Sequence, residues 1–171
     1  MSATVRMERG LVGLVLICVL AGSGAGCRSS TSPVTPPVIA RVYLEADARE
    51  TGKAVVLPQS GVTLQIAPKP VLMEFDFIDV QEMQVPLGRC LAFRLTIAAG
   101  RDLFRLTGRQ QGRRLVLTLN DEVLGARRID QAIDDGLLLI FLEVPDERLP
   151  ALAQSLRSTS TEIQHRLARK Q

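Results

Sequence analysis

Few side chains in this sequence could carry chemistry, and their spacing decides most of them. The single histidine, His165, lies near the C-terminus, far from any candidate nucleophile. A Ser-His-Asp or Cys-His arrangement needs its base on an ordered element, so no hydrolase of that type is read here. Glu74, Asp76, Asp79 and Glu82 could pair carboxylates or hold Ca²⁺. They alternate along a strand pattern, however, without the Asp-rich loop and Gly that a Ca²⁺ site requires, and are read as a solvent face. Asp134-Asp135-Gly136 reads as a turn. There is no Gly-rich phosphate loop and no Cys/His zinc spacing. The expectation is a non-catalytic protein with no cofactor and no metal.

Cys27 is the residue with the clearest chemical context. Arg6 and Arg9 precede an apolar run from Leu11 to Leu20, and small residues follow from Ala21 to Gly26. That is the layout of a bacterial signal peptide over residues 1–26, with an apolar run shorter than the roughly 20 residues of a membrane span. Cys27 then heads the Ser/Pro-rich stretch 27–37, as the acylated cysteine of a bacterial lipoprotein does, although Gly24 stands where lipoproteins usually place Leu. Acylation would anchor the chain in a membrane, each buried CH₂ contributing about 0.8 kcal/mol. The other reading is ordinary cleavage near Ala25 with Cys27 left as a thiol. Cys90 opens a strand pattern and reads as a buried thiol, or as a partner for an unlipidated Cys27 in an oxidising compartment. Either way the protein is exported, to the periplasmic or cell-surface side of a bacterial membrane.

Four arginines form the remaining candidate site. Apolar residues recur at every second position at Leu115, Leu117 and Leu119, and again at Leu124 and Ala126, on either side of Asn120-Asp121. Period-2 alternation about two residues that tolerate positive φ predicts a β-hairpin. In the simplest register Leu119 faces Glu122, Leu117 faces Leu124 and Leu115 faces Ala126. Arg114 then opposes Arg127, and Arg113 opposes Arg128, bringing four like charges to the open end of the hairpin. Either nearby acids answer them (Asp130, Asp134 and Asp135 follow) or an anionic partner does. The formal net charge of +3 is too small an excess to argue for nucleic acid, and aromatic platforms are lacking.

The elements that position these residues read as α+β. From Val38 to Ile97 short strands are separated by turn signals at Glu50-Thr51-Gly52-Lys53, Gln59-Ser60-Gly61, Pro68-Lys69-Pro70 and Pro86-Leu87-Gly88. Val71, Met73, Phe75 and Phe77 share one face, and a bulge near Phe77-Ile78 shifts the phase to Ile78 and Val80. Leu91, Phe93, Leu95 and Ile97 make a half-buried strand. A helix follows over 98–111, with Leu103, Leu106 and Phe104 inward and Gly112 as its stop. Leu137 to Leu142 is continuously apolar and reads as a central strand buried on both faces. Asp146 caps a second helix carrying Leu149, Leu152, Ala153 and Leu156, with Pro150 in its first turn. The basic tail 158–171 is expected to fray.

The hairpin and its flanks resemble the first periplasmic (head) domain of SecD, a subunit of the Sec protein-export machinery. The resemblance rests on Leu106-Thr107, Gly112-Arg113-Arg114-Leu115, the turn at Asn120-Asp121, and the close at Val123-Leu124-Gly125-Ala126-Arg127-Arg128-Ile129. It continues more weakly from Cys90 to Arg157. Gly125 replaces the usual Ser and Arg127 the usual Pro. The resemblance implies a head-like α+β domain over 38–157: an antiparallel or mixed sheet with two helices packed on one face. It also implies contact with exported polypeptides or with Sec or other envelope proteins. SecD's transmembrane helices have no counterpart after Phe141, so a translocation motor is not implied. The alternative is a structural or assembly lipoprotein that binds an envelope partner or anionic lipid through Arg113, Arg114, Arg127 and Arg128.

Overall fold

In the computed structural model, residues 36–47 and 49–170 are described. The expected signal peptide, Cys27 and most of the tether lie outside them. Asn120 and Asp121 both take positive φ, 49° and 67°, as a primed two-residue turn requires. The turn joins β6 (Arg114–Leu119) to β7 (Glu122–Arg128), and Leu119 faces Glu122 as expected. Beyond that pair the register departs from the simple alternation. Thr118 pairs with Val123 but Leu117 pairs with Gly125, which leaves Leu124 as an extra residue on β7. Leu115 therefore faces Arg127, and Arg114 faces Arg128.

The reason for the bulge lies in the next strand, β8 (Leu137–Leu142). β7 meets β8 in only two residue pairs, Gly125 with Leu142 and Ala126 with Phe141. A Cβ on Gly125 would stand 2.4 Å from the Phe141 carbonyl oxygen, closer than any side chain tolerates. The bulge delivers β7's one glycine to this contact. The join completes an eight-stranded sheet, in the order β2-β3-β1-β6-β7-β8-β5-β4. The remaining strands are β1 (Ala40–Glu45), β2 (Lys53–Val56), β3 (Thr63–Leu72), β4 (Phe77–Val85) and β5 (Gly88–Leu95). Every neighbouring pair is antiparallel, so no strand is mixed in.

Two helices cover one face. Thr96 caps α1 (Ile97–Arg109) by accepting the Ala99 N–H at 3.2 Å, and Gly112 turns the chain away at φ 87°. α2 runs Leu149–Ala168. Ala99 and Leu103 of α1, with Leu149, Ala153 and Leu156 of α2, share one core with Val42, Phe77, Leu91, Phe93, Leu115, Leu117, Leu138 and Ile140 of the sheet. Each fully buried Leu, Ile or Phe in it contributes about 1.5–3 kcal/mol.

Several sequence expectations need correction. Pro68-Lys69-Pro70 is no turn; it lies within β3, where the pairing to β1 slips. Pro lacks an N–H for the ladder and is tolerated at such irregularities. The strand expected through Met73 and Phe75 is broken by a 3₁₀ turn, Glu74–Asp76, in which the Asp76 carboxylate accepts the Met73 N–H at 2.8 Å. The bulge after Phe77 is present. Ile97 and Phe104 are exposed on α1, and β8 is fully buried only at Leu138 and Ile140. Asp146 does not cap α2; it begins a 3₁₀ turn, Asp146–Arg148. The segment expected to fray is helical to Ala168, because Thr159 and Ser160 are buried and the Thr159 hydroxyl accepts the Val38 N–H.

The other face carries a smaller apolar cluster. Slippage of β3 against β1 at Tyr43 turns the β2–β3 hairpin so that Val55, Leu57, Leu64 and Ile66 pack with Val116, beside Tyr43, Val123 and Ala126. The tip of this hairpin is pinned to the end of β8, where the Glu143 carboxylate accepts both the Gln59 and Ser60 N–H groups at 2.9 Å.

Candidate functional site

The four arginines do not converge into one open cluster, because the sheet supplies different partners for each. β1 lies beside β6, with Leu44 facing Leu115, which places Glu45 at the open end of the hairpin. Arg114 donates its N–H to Glu45 Oε2 at 2.9 Å and its Nη1 to Oε1 at 3.0 Å. Arg113 is spent on structure. Its Nε reaches the Glu45 carbonyl at 2.7 Å, its Nη1 the Gln110 side chain at 2.6 Å and its Nη2 the Glu50 carboxylate at 3.0 Å. The Glu50 carboxyl sits below its ordinary pKa, chiefly through the Asp47 N–H and then through Arg113.

Arg127 occupies the fork where β7 and β8 part after their two shared pairs. Its Nη1 donates to the Leu139 carbonyl at 3.3 Å, an oxygen that β7 would otherwise meet. Arg128 points outward, its side chain 65% exposed, with Asp130 at 3.6 Å. Of the nearby acids considered from sequence, Asp130 does pair, but Glu45 and Glu50 do most of the answering. That role was missed, because both acids reach the hairpin only through the pairing of β1 with β6. What remains accessible at this end is Arg128 and the outer part of Arg114.

The chain reaches the domain from the other end of the hairpin. The Ile39 N–H donates to Asn120 Oδ1 at 2.8 Å, and the Ile39 carbonyl accepts the Asn120 N–H at 2.9 Å. β6 is six residues long, so the arginines stand about 20 Å from residues 36–39 along the strand.

The remaining candidates disperse. Glu74 pairs with Arg41, Asp79 with Arg157, and Glu82 with Arg89. Burial outweighs the Met73 N–H at Asp76 and pushes its carboxyl above the ordinary value. Among the described residues no group of three His, Cys, Asp or Glu is disposed to hold a metal. Cys90 is buried in β5, its thiol 3.6 Å from the Met83 carbonyl and its pKa raised by burial. A link to Cys27 falls outside the described residues. His165 is exposed on the last turn of α2. Among the described residues no helix is long and apolar enough to cross a membrane.

These features define a class: an antiparallel α+β domain with one helix-covered face and a hairpin folded over part of the other. No family model matches the sequence, and neither does any curated protein. Solved structures do match. One, of SecDF described as a membrane component that enhances protein export, is 20% identical with a TM-score of 0.56, over 73% of this chain and 64% of that one. A crystal structure of SecDF in a super-membrane-facing form is also 20% identical at TM-score 0.56, over 72% of this chain and 19% of that one. The chain thus spans just under two thirds of the first and a fifth of the second. The likeness extends well beyond the stretch from Cys90 to Arg157. The fold is that of a SecD-like periplasmic domain.

Proposed function

We propose that the chain is a non-catalytic cell-envelope protein, anchored to a bacterial membrane through an acylated Cys27, whose domain binds exported polypeptide or a component of the export apparatus. The SecD-like fold is the observation that carries this reading. Arg114 and Arg128 are the groups at the basic end of the hairpin with capacity for a partner, while Arg113 and Arg127 hold the strands that present them.

The rival reading is an assembly lipoprotein that binds anionic lipid or an envelope partner through the same arginines. Arg114→Gln with Arg128→Gln separates the two and spares the arginines that hold the fold. Binding to a reduced, carboxymethylated polypeptide and to vesicles containing phosphatidylglycerol would be measured side by side. The export reading expects the wild type to bind the unfolded polypeptide and the double variant to bind it severalfold less tightly. Binding confined to the vesicles, and abolished in the double variant, would replace it with the rival.

A further inference from the structure

We infer that the outer edge of β2, Lys53–Val56, is a docking site where an extended segment of unfolded polypeptide adds to the sheet as a ninth strand. The inference rests on the polypeptide-binding reading above and gives it a location. The pairing of β2 with β3 runs Lys53 to Ile66, Ala54 to Gln65, Val55 to Leu64 and Val56 to Thr63. Leu57 continues it by donating to the Val62 carbonyl. Hydrogen-bonded pairs alternate in an antiparallel ladder, so Val55 and Lys53 spend their N–H and C=O groups on β3, and Leu57 spends its own on Val62 and Gly61 of the turn. Those of Ala54 and Val56 point the other way, along the edge of the sheet. The Gln65 carbonyl, opposite Ala54, correspondingly turns the other way and accepts the N–H of Ala46, the residue after β1.

Among the described residues nothing pairs with that edge, since β2 is the terminal strand. The opposite terminal strand is β4, and there α2 supplies the missing partners: Arg157 Nε donates to the Val80 carbonyl at 3.2 Å and Gln164 Nε2 to the Phe77 carbonyl at 3.1 Å. β2 has no such guard. Its flank is apolar instead, with Val56 57% and Val62 42% exposed, and Lys53 is its only charge. Backbone donors and acceptors repeating every second residue are matched by another extended backbone, whatever its sequence, and this suits a binder of many different polypeptides. Beside the edge a cleft of about 330 Å³ opens between Val55, Ile66, Tyr43 and Val123. It would take an inward side chain of the added strand.

The test uses the full chain and a reduced, carboxymethylated polypeptide. Ala54→Pro removes only an outward N–H and leaves the β2–β3 ladder bonds in place. Val56→Lys charges the flank without touching the backbone. Binding is expected to protect the Ala54 and Val56 amides from hydrogen exchange. Ala54→Pro should weaken binding at least tenfold, and Val56→Lys severalfold. Wild-type binding with protection elsewhere, unchanged in both variants, would overturn the edge and leave the polypeptide reading standing. No binding by the wild type would remove the reading itself. Protection of both amides before the probe is added would also overturn the inference: if it rises with protein concentration the edge serves a second copy, and if not it is covered by residues 1–35. Should Ala54→Pro fail to fold, the exchange pattern and Val56→Lys still decide.

Discussion

β4 and β2 close the same sheet at opposite sides, and the chain treats them differently. Along β4, α2 lies close enough for Arg157 and Gln164 to accept the role of a neighbouring strand, donating to carbonyls that face outward. Along β2 there is neither helix nor capping side chain among the described residues, and two valines are exposed beside it. An open edge is an aggregation hazard that proteins ordinarily blunt. α2 guards the Phe77 and Val80 carbonyls of one edge, whereas among the described residues nothing guards the other, and that other edge, where docking is proposed, lies in the half of the sheet that carries the β2–β3 hairpin.

Within the sheet the two halves meet at one narrow place, and breaking it is the largest test of the comparison. Gly125→Val puts a branched side chain where a Cβ alone would lie 2.4 Å from the Phe141 carbonyl oxygen. Backbone on both sides of this contact leaves no flexible group to yield. Destabilisation of about 3 kcal/mol is expected, the upper part of the overpacking range, read from the urea midpoint. Loss below about 1 kcal/mol would mean that the two edges belong to halves that hold together without this contact.

How much of this could be seen in the sequence follows from which interactions are local. The turn at Asn120-Asp121, the strand through Leu91, Phe93 and Leu95, the first helix and its Gly112 stop all rest on neighbours in the chain, and alternation or capping chemistry exposes them. The hairpin register did not, because Leu124 is displaced by β8, a strand that arrives later in the sequence. The two departures from the SecD pattern, Gly125 and Arg127, read as blemishes in the sequence. In the fold they sit at the same fork, one letting β8 approach and the other satisfying the Leu139 carbonyl where it leaves. The internal partners of the arginines were hidden for the same reason: Glu45 and Glu50, which answer Arg114 and Arg113, are distant in sequence and adjacent only through the β1–β6 pairing. The guard on β4 was hidden by the expectation that the chain frays after Ser158, since Gln164 lies beyond that point.

Making the guarded edge resemble the bare one is the next test. Arg157→Ala with Gln164→Ala removes two donors from β4 and leaves its carbonyls to water. Hydrogen bonds of this kind contribute about 0.5–1.5 kcal/mol each, and Arg157 is half exposed, which pulls its share toward the lower figure. A loss of about 1–2 kcal/mol is expected for the pair. The more telling readout is self-association in sedimentation, which should appear with β4 uncovered. A double variant that stays monomeric would show that shielding by the body of α2, not its side-chain donors, protects this edge.

The smallest effect concerns how firmly the bare edge is held in place. Glu143 pins the tip of the β2–β3 hairpin, and its pKa reflects two opposed influences. Burial favours the neutral form, but the donors of Ser60 and Gln59 outweigh it, leaving the carboxyl below its ordinary 4.5. A carboxylate whose folded pKa is depressed contributes stability that is fully present above its unfolded value. That contribution fades as pH falls through the folded value, so the hairpin tip should loosen on the acid side of 4.5 and not near neutrality. The Gln59 and Ser60 amide resonances should titrate together in that range, and Glu143→Gln should flatten both curves while changing global stability by under about 1 kcal/mol. If the two amides keep their shifts throughout the acid range, the tip is held by the packing of Leu57 and Val55 instead, and the edge it carries is rigid at every pH at which the domain is folded.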